Sequence, residues 1–187
     1  MKYYKKLQGE RIYLSPLNIE DAEKYVEFFS DFSTTDGFGN SHELMSVESE
    51  RARISKSLEN CNYSFSIVKN DNDELIGGIK LVNINQRCRT CDIAIIIGKE
   101  ENRNMGYGKD ALNLALDFAF NYLNMNSIMI GCYDFNKRAI KCYQSVGFKI
   151  FGTRRQNYYL DGKYYNNVFM DILKEEFTGL YIKNRNI

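Results

Sequence analysis

The stretch Asp92-Ile93-Ala94-Ile95-Ile96-Ile97-Gly98, followed by Arg103-Asn104-Met105-Gly106-Tyr107-Gly108-Lys109, decides how this chain reads. The first part is a nearly continuous apolar run, as expected of a strand buried on both faces. After the second part comes the clearest helical pattern in the chain, Gly106 to Leu123. There Ala111, Leu112, Ala115, Leu116, Ala119 and Leu123 form a wide apolar stripe. Next comes a strand over Ile128 to Tyr133, so the segment is a strand–helix–strand unit. That unit implies one parallel pair with a right-handed crossover.

Working outward, Asn136 to Val146 reads as a helix with Gly147 just past its end. Lys149 to Leu160 and Lys163 to Leu173 read as a hairpin across Asp161-Gly162. On the N-terminal side, Ser15-Pro16-Leu17-Asn18 leads into a helix ending near Phe29, with Asn18 as N-cap. Residues 31–45 mix Asp, Ser, Thr and Gly and read as a loop. A helix follows from Val47 to Leu58 with Ser46 as cap, then strands over Tyr63 to Lys69 and Leu75 to Ile84. The expected fold is a single mixed α/β domain over 1–187. Its sheet is mostly antiparallel with one splayed parallel pair, and about four helices flank it.

Composition narrows the partners. The 187 residues carry a formal net charge of +1, with no basic excess to favour nucleic acid. No run of eighteen apolar residues suggests a membrane span. The start, Met1-Lys2-Tyr3-Tyr4-Lys5-Lys6, does not read as a signal peptide, so a cytoplasmic location is the expectation. Five cysteines (Cys61, Cys88, Cys91, Cys132, Cys142) then read as reduced thiols. Cys88-x-x-Cys91 raises a half metal site or a redox pair, but His42 is the lone histidine and no metal is expected.

Two motifs carry the chemistry. Glycines at 106 and 108 let a ligand approach the backbone closely at a helix N-terminus, whose free N–H groups and dipole favour phosphate. Arg103 and Lys109 place charge beside them. A loop whose glycines only turn the chain is the plainer alternative. The third glycine of a dinucleotide fingerprint is missing, and so is the Gly-Lys-Ser/Thr of a Walker A loop. In the second motif, Asn136 and Tyr143 stand seven residues apart on one helix face, with Ala139 leaving room between them. An N-cap Asn and a half-buried Tyr are the plainer reading there.

Taken together, the motifs resemble the GNAT superfamily of acyl-CoA N-acyltransferases. Arg103-x-x-Gly106-x-Gly108 is similar to its Gln/Arg-x-x-Gly-x-Gly/Ala signature, and Asn136-x-x-Ala139-x-x-x-Tyr143-x-x-x-Gly147-Phe148 to its second signature. Gly9-Glu10-Arg11-Ile12-Tyr13-Leu14 and Asp161-Gly162-Lys163 look like the branch of ribosomal-protein N-terminal and spermidine N-acetyltransferases. The resemblance covers nearly the whole chain.

The resemblance implies acetyl-CoA as co-substrate, with direct attack of a primary amine on the thioester. Asn104 and the backbone amides of Met105, Gly106, Tyr107, Gly108 and Lys109, beside Arg103, would hold the pyrophosphate. Ile96, Ile97 and Gly98 would pair with the pantetheine arm, and Asn136 and Ala139 would contact it. Tyr143 would protonate the leaving thiolate. Asp92 would take the amine's proton directly or through water, unless it is a solvated strand-start residue. The span from Asp92 to Arg103 looks one residue longer than in relatives, so a bulge or longer loop must absorb it.

The acceptor would be a protein N-terminus, a polyamine or another small amine. Asp31, Asp36, Glu43, Glu48 and Glu50 would wall its site on one side, and Tyr158 and Tyr159 on the other. Acidic residues facing the pocket would suit spermidine; a solvated helix face is the alternative. A homo-oligomer is compatible with the resemblance. The competing readings are a non-catalytic acyl-CoA sensor and a nucleotide-binding domain of another fold.

Overall fold

The computed structural model describes residues 2–59 and 63–184. Eight strands form one sheet: β1 (Leu7–Gln8), β2 (Ile12–Pro16), β3 (Tyr63–Lys69), β4 (Leu75–Asn85), β5 (Thr90–Ile97), β6 (Ser127–Tyr133), β7 (Lys149–Leu160) and β8 (Lys163–Leu173). Their spatial order is β1-β2-β3-β4-β5-β6-β8-β7. Neighbours pair antiparallel except β5 and β6, which run parallel. The Asp161-Gly162 turn closes the β7–β8 hairpin with φ of 48° and 77°. Two positive φ values make the turn whose twist suits flanking strands, which is why Asp-Gly is so legible there.

Five α-helices are present among the described residues: α1 (Ala22–Phe29), α2 (Phe32–Phe38), α3 (Val47–Glu59), α4 (Tyr107–Asn121) and α5 (Lys137–Val146). The expected loop at 31–45 therefore contains a helix. Phe-Ser-Thr-Thr-Asp-Gly-Phe is a poor helix former by propensity. Local bonds and burial override it. Asp31 Oδ1 accepts from Ser33 N–H at 2.8 Å, Ser33 Oγ donates to Asp31 Oδ2 at 2.7 Å, and Thr34 and Thr35 are buried. Asn18 caps as expected, but over a 3-10 turn at Ile19–Asp21 that precedes α1. Ser46 Oγ accepts from Ser49 N–H at 3.1 Å at the start of α3.

The sheet has a core on each face. Leu112, Leu116 and Ala119 of α4 pack with Ile67, Ile79 and Ile93 on one; Tyr25 and Phe28 of α1 and Ile54 of α3 form the other. β5 serves both: Cys91 and Ile93 belong to the first core, with Ile95 and Ile97 packed against it, and Ile96 belongs to the second. Its register with β4 is unbroken from Asp92 (opposite Val82) to Ile97 (opposite Gly77). No bulge therefore interrupts β5 in that segment, and a loop with a 3-10 turn at Glu100–Asn102 joins it to Arg103.

Gly98, where β5 ends, is held by close approach. A Cβ there would fall on the Phe28 ring, which is 2% exposed and packs edge-on to Tyr25 at 5.9 Å. Gly98→Ala is expected to cost about 1–3 kcal/mol, read as a lower midpoint in urea unfolding. An unchanged midpoint would show that the ring moves freely.

Candidate active site

β5 and β6 are paired only over Thr90–Asp92 and Ser127–Met129. Beyond that point the edge of β5 is open. Gly98 N–H bonds to Ile76 O at 2.9 Å on the β4 side. By antiparallel alternation the N–H groups of Ile95 and Ile97 point the other way, into the opening. A cavity of about 620 Å³ begins there. Ile95, Ile96, Ile97, Arg103, Asn104, Gly106, Gly108, Lys109, Asn136, Ala139 and Tyr143 all line it. Among the expected cofactor residues, Gly98, Met105 and Tyr107 lie next to this lining rather than in it.

The loop from Arg103 to Lys109 reaches its shape through two left-handed residues, Asn104 (φ 60°) and Gly106 (φ 83°). Gly106 is the N-cap of α4, and Asp110 N–H bonds back to its carbonyl. The backbone N–H groups of Asn104 to Lys109 meet no acceptor among the described residues. They remain free for an anion at a helix N-terminus. Arg11, just before β2, pins the loop. Its Nε and Nη2 donate to Asp110 at 2.8 and 3.0 Å, and Nη1 donates to Met105 O at 2.8 Å. That fork also neutralises the one carboxylate in the first turn of α4.

Arg103 does something other than place charge at the phosphates. It is 8% exposed, and its guanidinium is fully engaged. Nε donates to Ile97 O at 3.2 Å, Nη1 to Ser33 Oγ at 2.9 Å, and Nη2 to Gly98 O at 2.7 Å and to Thr34 Oγ1. Arg103 thus ties the end of β5 to α2. Burial lowers its pKa, and Arg138 nearby lowers it further. The exposed cations at the cavity are Lys109, Lys137, Arg138 and Lys141. Of these, the phosphate-loop motif points only to Lys109. The basic run at the start of α5 was the available signal.

Asn136 is the N-cap of α5: its Oδ1 accepts from Ala139 N–H at 3.1 Å. Its Nδ2 stands against Gly37 of α2, where a Cβ would come within 2.9 Å. The plain N-cap reading is correct, and Asn136 also lines the cavity. Tyr143, two turns on, is 8% exposed and packs at 6.2 Å from Phe148. Its hydroxyl has no hydrogen bond among the described residues. Burial raises the phenol pKa strongly, with Arg138 pulling the other way.

Asp92 is not in this cavity. The unbroken β5 register puts it on the face of Ala94 and Ile96, about 7 Å along the strand from Ala94. Its Oδ2 accepts from Asn83 Nδ2 at 2.7 Å. On that face a second cavity, of about 260 Å³, lies under α1 and α3. Ile96 and Phe38 line both cavities, so the two meet there. None of Asp31, Asp36, Glu43, Glu48 and Glu50 lines either one. Asp31 caps α2, and Glu50 is buried against Arg53 at 2.5 and 2.6 Å. Asp36 Oδ1 is buried without a hydrogen-bond partner among the described residues, outside both cavities. Tyr158 stacks on Tyr133 at 4.3 Å and shares a 2.8 Å hydrogen bond with Ser41, tying the hairpin to the loop after α2. Tyr159 is 60% exposed.

Cys88 is exposed and Cys91 buried, its thiol pushed up to about 12 by burial; Cys61 lies outside the described residues. Among the described residues no group of His, Cys, Asp and Glu is placed to hold a metal ion, and no helix is long and apolar enough to cross a membrane.

Residues 11–149 match the acetyltransferase (GNAT) domain model. The chain is 28% identical over 182 residues to the probable N-acetyltransferase YjcK of Bacillus subtilis, covering 91% of this chain and 98% of that one. It is 30% identical over 106 residues to the spermidine N(1)-acetyltransferase of Escherichia coli, covering 57% of this chain and 56% of that one. The fold is similar to a crystal structure of spermidine N-acetyltransferase from Vibrio cholerae in complex with CoA and spermine. There the TM-score is 0.81 at 23% identity, over 89% of this chain and 97% of that one.

Proposed function

This chain belongs to the GNAT acetyltransferase family, and we propose that it transfers an acetyl group from acetyl-CoA to a primary amine by direct attack on the thioester. The observation that carries this reading is the open edge of β5, which leads into one cavity that ends on free loop amides and holds an unbonded phenol. N–H groups of Asn104 to Lys109 bind the pyrophosphate, with Lys109 and Arg138 beside them. The outward edge of β5 pairs with the pantetheine arm as an added strand would.

The amine arrives from the second cavity and meets the thioester where the two join, at Ile96 and Phe38. Alkylammonium groups have a pKa near 10 and must lose a proton before attacking. Asp92 lies two same-face steps, about 13 Å, along β5 from Ile96, so the proton leaves to water and only a chain of waters would carry it on to Asp92. The tetrahedral oxyanion is stabilised by outward N–H groups of β5. Tyr143 gives its proton to the leaving thiolate, and Arg138 stabilises the phenolate left behind.

The test is release of free thiol from acetyl-CoA with the purified protein, against amino acids, polyamines, aminoglycosides and short peptides. Thiol release matched by an acetylated amine is expected. Coenzyme A binding without transfer to any of these amines would instead favour a sensor.

A further inference from the structure

The second cavity has the wrong charge for a polycation. Its walls are apolar where Phe29, Phe38, Ile54 and Phe65 line it, and its charged lining residues are Arg53, Lys56 and Lys80. Among the described residues no carboxylate lines it. Arg53 is neutralised by Glu50, with its guanidinium also 5.3 Å from the Phe29 ring.

Lys80 is different. It lies on β4 directly across the ladder from Ala94, half-buried, with no ion pair or hydrogen bond among the described residues. Burial lowers its pKa and Arg53 lowers it further, with Glu50 pulling the other way. A half-desolvated ammonium without a partner is costly unless something pairs with it. Glu50 is the acid that acts on Lys80 electrostatically, but both its oxygens are held by Arg53, and Asp92, opposite Val82 on the same sheet face, lines neither cavity and is bonded to Asn83. Lys80 therefore faces the acceptor space about 7 Å, one same-face step along the ladder, from Ile96, where the two cavities meet.

We propose that the acceptor is a primary amine that carries a carboxylate on an apolar body, as an apolar amino acid does, and that Lys80 binds the carboxylate. This rests on the transfer reading above and narrows its acceptor. The amine points to the junction at Ile96, the apolar body fills the space between Phe29, Ile54 and Phe65, and the carboxylate completes Lys80. Spermidine, with one amine at the junction, would bring two further cations against Lys80, Lys56 and Arg53, with no carboxylate among the described lining residues to receive them. Like charges in a partly desolvated site repel strongly.

Equilibrium binding separates this from the transfer reading. With coenzyme A present, N-acetyl-leucine is compared with N-acetyl-leucinamide and N1-acetylspermidine by calorimetry. Bound carboxylate should win over the amide by about tenfold or more, the usual size of a hydrogen bond to a charged group. Lys80→Met should bring that ratio close to one, and Lys80→Arg should preserve most of it. A ratio near one in the wild type, tighter binding of the polyamine product, no binding of the carboxylate at all, or a ratio that ignores Lys80 would each overturn the proposal. Carboxylate preference without thiol release from acetyl-CoA and leucine would sustain this assignment while removing the transfer reading. Thiol release with spermidine but not leucine would do the reverse.

Discussion

Tyr143→Phe is expected to lower kcat by about 10²–10³-fold, within the usual range for losing a general acid, while coenzyme A affinity stays within about twofold. The substitution removes one oxygen and nothing else. That hydroxyl has no partner among the described residues, so no protein hydrogen bond is broken. The ring keeps its place against Phe148. Stability should therefore change little, and a lower rate cannot be ascribed to misfolding. Steady-state kinetics and a coenzyme A titration on the same preparation check this. Unchanged turnover would remove Tyr143 from the proton transfer.

The pH behaviour follows from burial. Desolvation raises the Tyr143 pKa above the ordinary phenol value of about 10. The proton donor is thus fully loaded throughout the neutral and mildly alkaline range, and its titration should put no alkaline limb on kcat below pH 10. The linkage has a definite sign. A pKa raised on folding contributes stability that is complete below the unfolded value near 10 and declines as pH rises beyond it. Tyr3 and Tyr25, also shifted upward mainly by burial, act in the same direction.

Local rules made much of this chain legible, and long-range contacts explain what they missed. Asp161-Gly162 announces a hairpin because two adjacent positive φ values suit few other pairs. α4 announces itself because its apolar stripe recurs with the helical period. α2 reads as a loop because Ser, Thr, Asp and Gly favour loops. Its helix depends on Thr34 and Thr35 being buried, and its docking on bonds to the end of β5. A similar blindness applied to charge. Arg103 in a phosphate-loop motif reads as a phosphate ligand, since nothing local shows that Ile97, Gly98, Ser33 and Thr34 will surround it. The acids at 31–50 read as a polyamine wall because sequence gives no direction to a side chain. Lys80, inside an alternating strand, carried no local signal at all. Its meaning comes from the wall built around it by α1, α3 and β5.

Arg103→Met is expected to destabilise the fold by about 2–4 kcal/mol, a fall in Tm of roughly 5–15 °C for a chain of this size. The guanidinium forks onto the carbonyls of Ile97 and Gly98 and onto the hydroxyls of Ser33 and Thr34. Methionine can fill the stem's volume but donates to none of them. Lysine keeps the charge but not the planar fork, so Arg103→Lys should recover only a minor part. Arg138→Met supplies the contrast. Arg138 is exposed at the same cavity, so its loss should leave Tm nearly unchanged. It should instead weaken coenzyme A binding by about fivefold and reduce the salt dependence of that binding. The two variants separate a cation that builds the site from one that faces the ligand. Equal melting temperatures for Arg103→Met and wild type, with only ligand affinity lost, would return Arg103 to the phosphates and undo the assignment of α2 docking to its guanidinium.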